Sequence, residues 1–435
     1  MPGSHPRSKW RGQSLPDRAR SGESVLIREQ NKVAKTINVA SVGPALCVKG
    51  GISRVIELIG AHLPDHICVR FIATFNRYTG DKGATRAERG NRFAQALVFL
   101  LAFVQTLIRA LPRRTIFHVH FSGRGSLLRK GIICVMLRSL RCPYLVHSHA
   151  ADTNLFPKWL PGSGRRLILW GIGGAGRVIV LTQFWHDYYS SILRLPAGRI
   201  LLLPNPADLP KTIPTRSTRK GLNVLFLGRI GVRKGAYDLI RAFAALPEDV
   251  RSRCRLTMAG DGDIDEAKTL AQQLGCASQL AMPGWIGKAE VEKLLVNSDV
   301  LVLPSYAEGM AMALVEAMSW GLPVVTTSVG GAGEFLEQGR NCLLVTPGDV
   351  IGIREAITNL ARDPQYRLQL GLAARETISR FSIDAYISTL SGVYEELAGT
   401  LSAGKSVTVS SPGNDLKPLA PLVSRATDHV DSALG

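Results

Sequence analysis

Residues 300–327 constrain the fold more than any other part of the chain. Two short apolar runs, Val300-Leu301-Val302-Leu303 and Pro323-Val324-Val325, bracket a segment of helical composition. Unbroken runs of this length suit strands that are covered on both faces. The pattern predicts a βαβ unit in a parallel sheet, with one helix of about two to three turns between the strands.

Glu308 and Glu316 lie in that intervening segment, eight positions apart. Eight helical steps of roughly 100° leave two side chains about 80° apart around the axis and about 12 Å apart along it. One straight helix would not aim both at a single point. The spacing therefore assigns Glu308 to the loop over the helix N-terminus and Glu316 to the helix itself. Gly309 lets backbone come close to a ligand, and the unpaired N–H groups of a first turn attract an anion. A ligand with both phosphate and hydroxyl groups fits this combination.

A chain of 435 residues, 46% hydrophobic and 20% charged, is long enough for two α/β domains with separate cores. The seven cysteines, at 47, 68, 134, 142, 254, 276 and 342, form no C-x-x-C pair and read as buried reduced thiols of a cytosolic protein. The net charge of +19 is uneven. Residues 1–205 carry 30 Lys/Arg against 9 Asp/Glu, whereas residues 206–400 carry 20 against 22. Within 70–141, 14 basic residues meet only Asp81 and Glu88. Such a one-signed half implies an acidic partner (anionic lipid, a lipid-linked diphosphate or nucleic acid), or a basic face kept for solubility.

Residues 1–35 hold repeated Lys/Arg and no apolar core of signal-peptide length, so a flexible basic arm is expected. Ile37-Asn38-Val39-Ala40 opens the first domain, expected over 36–205. Gly50-Gly51 before its first helix can bring backbone N–H groups near a phosphate. Residues 93–108 carry no charge but are fewer than the roughly 20 that a membrane span needs. They read as a buried helix, or as an interfacial one given Arg92, Arg109, Arg113 and Arg114 at its ends.

His118-Val119-His120 and His147-Ser148-His149 fall on predicted strands, where both rings of a pair share one face. Two such pairs could hold a metal. No Cys, Asp or Glu stands at ligand spacing, so no metal is expected and the first pair reads as structural. Gly171-Ile172-Gly173-Gly174-Ala175-Gly176 matches G-x-G-x-x-G but leads into a strand rather than a helix, which argues against a dinucleotide site.

A linker is expected over 206–221 and the second domain over 222–381. It opens with a strand ending in Gly228-Arg229 and with Lys234 five positions later. That arrangement brings two cations to one strand end, where ligands of open α/β sheets bind. Asp261-x-Asp263 imitates a D-x-D metal pair but reads as a tight turn. Pro283-Gly284-Trp285-Ile286 reads as a further short strand. A helix over 382–400 and a disordered tail over 401–435 complete the expected order.

Taken together, these motifs resemble those of the retaining GT-B glycosyltransferases of family 4 (glycosyl transferases group 1), of the bacterial surface-polysaccharide type. Glu308-x7-Glu316, preceded by Pro304-Ser305 and followed by Ala317-Met318 and Gly321-x-Pro323-Val324-Val325, is similar to the family's donor-binding signature. Met310-Ala311-Met312 departs from the Gly-Phe-Gly-Leu of many members, and Ala150 follows His149 where Gly is frequent. The resemblance covers about residues 36–400 and implies two Rossmann-like domains facing each other across a cleft, with a C-terminal helix crossing back to the first.

By the same resemblance, Arg229 and Lys234 hold the donor diphosphate together with the N–H groups around Gly309, Met310, Ala311 and Met312. Glu316 grips the ribose and Glu308 the sugar, while His149 and Gly51 reach in from the opposite domain. The implied reaction is a metal-independent, cofactor-free, retaining hexosyl transfer. Its donor is a nucleotide sugar, UDP- or GDP-linked ahead of ADP-linked. Its acceptor is a lipid-linked saccharide at the inner face of the cytoplasmic membrane, in exopolysaccharide, capsule or lipopolysaccharide synthesis. An anionic membrane surface is an expected partner. Nucleic acid is not, because most of the aromatics of 70–141 fall in apolar runs rather than interleaving with the basic residues. A GT-B phosphorylase or sugar-nucleotide epimerase is the alternative within the fold.

Overall fold

Apolar runs alternate with helical segments along both halves of the chain, and each half folds into a six-stranded, wholly parallel sheet flanked by helices. The computed structural model describes residues 36–403 apart from 49, 76–91, 113, 197 and 217–220. The expected basic arm and nearly all of the expected tail lie outside the described residues, as does Arg113.

The first half runs β1 (Ile37–Gly43), α1 (Gly51–His62), β2 (Ile67–Ala73), α2 (Arg92–Ala110), β3 (Thr115–Phe121), α3 (Gly125–Ser139), β4 (Tyr144–Ser148), α4 (Gly162–Gly173), β5 (Arg177–Val180), α5 (Gln183–Leu193) and β6 (Ile200–Leu202). Its strand order is β2-β1-β3-β4-β5-β6. The second half runs β7 (Leu222–Leu227), α6 (Ala236–Ala244), α7 (Glu248–Arg251), β8 (Cys254–Ala259), α8 (Ile264–Gln273), β9 (Leu280–Gly284), α9 (Lys288–Asn297), β10 (Val300–Leu303), α10 (Met312–Ser319), β11 (Val324–Thr326), β12 (Leu343–Leu344), α11 (Val350–Arg362) and α12 (Pro364–Ser379). The order here is β12-β11-β10-β7-β8-β9. Both sheets reverse direction in the middle, between β1 and β3 and between β7 and β10, and such reversal points open a crevice at the strands' carboxyl ends.

The final helix, α13 (Ile383–Ala403), returns to the first half and packs on α1, β1 and β3. Its Tyr386, Leu390, Tyr394 and Leu397 share a buried cluster with Val39, Val55 and Ile59. The two crossings between halves are tied together, since Ala207 N–H donates to Phe381 O at 2.7 Å and Ile383 N–H to Ala207 O at 2.9 Å. Arg216, in the first crossing, donates to the carbonyls of Trp320 at 2.7 Å and Leu295 at 3.2 Å.

Several expectations need correction. The short strand expected at 283–286 is β9, which ends at Gly284, where a φ of 80° turns the chain out of the sheet. Cys47 and Cys68 are exposed rather than buried; Cys68 points outward from β2, an edge strand. The helix at 93–108 is not buried all round. One side of α2 packs on the first core through Ala102, Ala110, Phe99 and Phe103, and the other side is bare.

Candidate active site

β7 and β10 are neighbours at the reversal point of the second sheet, so the loops leaving them meet at one place. After β7 the chain turns at Gly228, whose φ of 145° disfavours any side chain. Arg229 follows, half-exposed, with Nη1 3.1 Å from Asp261 Oδ2. Gly235, at φ 67°, carries the chain so close to the end of β10 that a Cβ there would stand 2.1 Å from Pro304 O. That approach places Lys234 Nζ against Glu308 Oε1, which also accepts from Ser305 Oγ at 2.9 Å. Only 13% and 12% of the Lys234 and Glu308 side chains are exposed, so the pair is largely screened from water.

Glu308 lies in the loop and Glu316 in α10, as their spacing requires. Ala311 takes the N-cap position and its carbonyl accepts from Leu314 N–H at 3.1 Å, so the N–H groups of Met312 and Ala313 come ahead of the helix's first acceptor. Asn205, buried, fixes this turn by donating Nδ2–H to Met310 O at 2.8 Å. Met310 and Met312 are both buried, Met310 in the second core and Met312 in the cluster shared by α1 and α13. The two methionines thus fill volume between the halves. Gly51 faces Met312 directly, since a Cβ there would stand 3.3 Å from Met312 Cγ.

Glu316 Oε1 accepts from Arg54 Nε of α1 at 3.2 Å, and Arg54 also approaches Asp208 at 3.7 Å. Burial raises the Glu316 carboxyl above the usual carboxylate range, and Arg54 pulls against that shift.

In the first half, β3 and β4 pair in register with His120 opposite His147, so all four histidines fall on one face. Ring centroids lie 3.9 Å apart for His118–His120, 4.1 Å for His147–His149 and 5.3 Å for His120–His147. Tyr394 OH is 2.8 Å from His118 Nδ1, and His120 Nδ1 is 3.2 Å from His149 Nε2. The two pairs thus form one stack. His118, His120 and His147 even bring ligand atoms within 4.8 Å of one another. The titratable groups acting on this cluster are its own imidazoles and Lys130, all neutral or cationic. No carboxylate is among the groups acting on the cluster, so a dication there would be held by neutral imidazoles alone. Burial keeps the imidazoles neutral. It lowers His118 and His149 to about 3, although an edge of His149 still meets solvent, and it lowers His120 and His147 well below 6.5.

The carboxyl ends of the two sheets face each other at close range. A Cβ on Gly309 would stand 2.5 Å from Ala150 O, and one on Gly331, at φ 92°, would stand 2.4 Å from Thr182 Oγ1. Glu334 of the second half accepts the N–H groups of Gln183 at 2.7 Å and Phe184 at 2.8 Å, the first two residues of α5. Its carboxylate thus satisfies a helix N-terminus of the opposite domain.

Residues 50–206 match the family described as glycosyl transferase 4-like domain, and residues 214–377 match glycosyl transferases group 1. These two segments take in nearly all of both sheets. The chain is a group 1 glycosyltransferase.

Relatives of this glycosyltransferase include the alpha-D-kanosaminyltransferase of Streptomyces kanamyceticus, 26% identical over 321 residues, which are 69% of this chain and 82% of that one. The lipopolysaccharide core biosynthesis glycosyltransferase LpsE of Rhizobium meliloti is 32% identical over 194 residues, 43% of this chain and 52% of its own. Among solved structures, Anabaena HepE in complex with UDP superposes with a TM-score of 0.64 at 18% identity, covering 82% of this chain and 99% of that one. Sucrose-phosphate synthase from Thermosynechococcus elongatus gives 0.65 at 19%, covering 83% of this chain and all of that one. These likenesses establish the GT-B fold.

The glycosyltransferase brings Arg229, Lys234, Glu308, Gly309 and the start of α10 together at one reversal point. Glu316, Gly51 and Met312 line the junction beside it, and His149 lies at the facing strand end. Motif reading missed Arg54, Asn205, Ser305, Asp261, Glu334 and Tyr394. Each acts on a motif residue or across the junction; Ser305 and Asp261 lie within motifs and Arg54 three residues after Gly51, whereas Asn205 and Tyr394 stand apart from any.

Proposed function

We propose that this glycosyltransferase is a retaining, metal-independent hexosyltransferase. It moves a sugar from a nucleotide-diphosphate donor to a lipid-linked saccharide during exopolysaccharide, capsule or lipopolysaccharide assembly. The observation that carries the reading is the meeting of Arg229, Lys234, Glu308 and the N-terminus of α10 at the ends of adjacent strands. Cations and free N–H groups suit a diphosphate, and carboxylates suit hydroxyls.

When the sugar C1–O bond breaks, negative charge develops on the leaving phosphate. Lys234, Arg229 and the N–H groups at 310–312 stabilise that charge where it forms. The bond from C1 to the acceptor oxygen forms on the same face, and the acceptor's proton passes to the leaving phosphate. Glu316 accepts from the ribose hydroxyls, which requires exchange of its contact with Arg54. Glu308 accepts from the sugar hydroxyls once the diphosphate draws Lys234 away. His149, held neutral, can donate to or accept from the sugar without adding charge. Contact between the halves at Gly309 and Gly331 keeps water from the bond that breaks.

A UDP-linked donor is supported by HepE, whose structures include complexes with UDP and with UDP-glucose. A surface-polysaccharide pathway is supported by LpsE and by the putative teichuronic acid glycosyltransferase TuaC of Bacillus subtilis. A lipid-linked diphosphate acceptor is supported by the charge of the first half. Thermal-shift screening against UDP, GDP and ADP, followed by donor turnover with each candidate sugar, tests the reading. The expected result is stabilisation by UDP or GDP and a product that keeps the donor's anomeric configuration. An inverted product, or turnover that requires a divalent metal, would overturn the mechanism.

A further inference from the structure

We propose that the outer face formed by α2, α3 and α4 is a docking surface for an anionic lipid bilayer. The inference does not depend on the donor chemistry. It begins with a helix that is apolar on two opposite sides. The side of α2 that meets the core carries Phe99, Ala102, Phe103 and Ala110. The other carries Leu97, Leu100, Leu101, Val104 and Ile108, continued by Leu111, at the three- and four-residue spacings of one helical stripe. Their exposure runs from 41% at Val104 to 67% at Leu111. A helix apolar all round is ordinarily buried on every side. This stripe exposes on the order of several hundred Å² of aliphatic surface, the size at which a patch marks an interaction site.

The stripe does not stand alone. α3 lies between α2 and α4 and packs on both. Exposed Ile132 of α3 and Leu167 and Trp170 of α4 extend the apolar surface, and the Arg138 guanidinium stacks 4.3 Å from the Trp170 ring centre. Arg114, Arg165 and Arg166 are exposed around it. No Asp or Glu occurs between Glu88 and Asp152, so α2 and α3 contain no acidic residue, and neither does α4.

Charge decides the occupant. A second copy of this chain would bring two surfaces of the same sign together, whereas anionic headgroups complement the arginines while acyl chains receive the leucines. Among the described residues no helix is long and apolar enough to cross a membrane, so α2 lies on the bilayer rather than through it. In a parallel βαβ unit the helix runs opposite to its strands, which puts the first residue of α2 at the carboxyl ends that form the site. A molecule lying on α2 therefore holds the mouth of its cleft at the lipid surface.

Flotation of the full-length protein tests this, using vesicles of phosphatidylcholine alone and of phosphatidylcholine with phosphatidylglycerol. The wild type is expected to float with the anionic vesicles at low salt and to partition less with the neutral ones. Leu100→Ser/Leu101→Ser/Ile108→Ser should weaken partitioning at least about tenfold, with urea midpoint and nucleotide-induced thermal shift unchanged. Arg165→Glu/Arg166→Glu, which leaves the apolar stripe intact, should lose the preference for anionic vesicles. A wild type that stays unbound at low salt overturns the proposal, and so does a triple variant that floats as well as the wild type. Unchanged lipid preference in the Arg variant has the same effect. A dimer that the triple substitution dissolves, in a protein that does not float, would give the surface to a second copy instead.

Discussion

The two strand-end regions that face each other across the junction are built on opposite electrostatic terms. The second sheet offers Arg229, Lys234, Glu308 and Glu316, each charged and each paired: Arg229 with Asp261, Lys234 with Glu308 and Glu316 with Arg54. The first offers Gly51 and a stack of imidazoles that burial holds neutral. A diphosphate needs cations that can change partners, whereas a neutral sugar needs hydrogen-bonding groups that add no field. The division between the halves follows the chemistry of the two ends of a nucleotide sugar.

The largest expected effect comes from acid. In the unfolded chain each imidazole takes a proton below about 6.5, whereas in the fold His118 and His149 stay neutral down to about 3. Their folded values are depressed, so the stability they contribute is present above 6.5 and is lost as pH falls from there toward 3. Each such group removes up to about 1.4 kcal/mol per pH unit in that window. The urea midpoint should therefore collapse between pH 7 and about 5, and His147→Asn should flatten the slope. A midpoint independent of pH would mean that the stack accepts protons within the fold.

On the charged side, Lys234→Ala is expected to lower the transfer rate about 10²- to 10³-fold without unfolding the protein. A loss below tenfold would remove Lys234 from the leaving group and weaken the contrast between the regions. Glu316→Ala should weaken nucleotide affinity about 10- to 100-fold, the worth of hydrogen bonds to a charged group. Isothermal titration with the nucleotide reads it, and unaltered affinity would leave Glu316 as Arg54's partner alone. The smallest effect belongs to Tyr394→Phe, which removes the hydroxyl beside His118 Nδ1 and should cost about 1 kcal/mol of stability. If donor turnover fell a hundredfold with stability intact, the imidazole stack would belong to the chemistry as well as to the core.

Much of the charged region was legible in the sequence because its parts are local. Eight residues of spacing were enough to divide Glu308 from Glu316 between loop and helix, and a strand ending in Gly228-Arg229 announced Lys234. Partners supplied by other elements were not legible. Arg54 stands 262 residues from Glu316 and Tyr394 stands 276 from His118, and no local pattern encodes either contact. The histidine pairs illustrate the limit. Alternation put each pair on one face, but only the register of β3 against β4, with His120 opposite His147, stacked the pairs together. The charge-free run at 93–108 failed for a related reason. Composition showed that α2 is apolar, but not which of its sides has a neighbour.

The contact of Glu334 with the start of α5 has a dynamic consequence. Backbone amides at a helix start exchange with solvent deuterium unless something holds them, and here the holder belongs to the other half of the molecule. Any parting of the halves must release Gln183 and Phe184 together, and any ligand that draws the halves together must slow both. Their two exchange rates are thus a built-in gauge of domain opening that needs no attached probe, and Glu334→Ala would fix the gauge at its open reading.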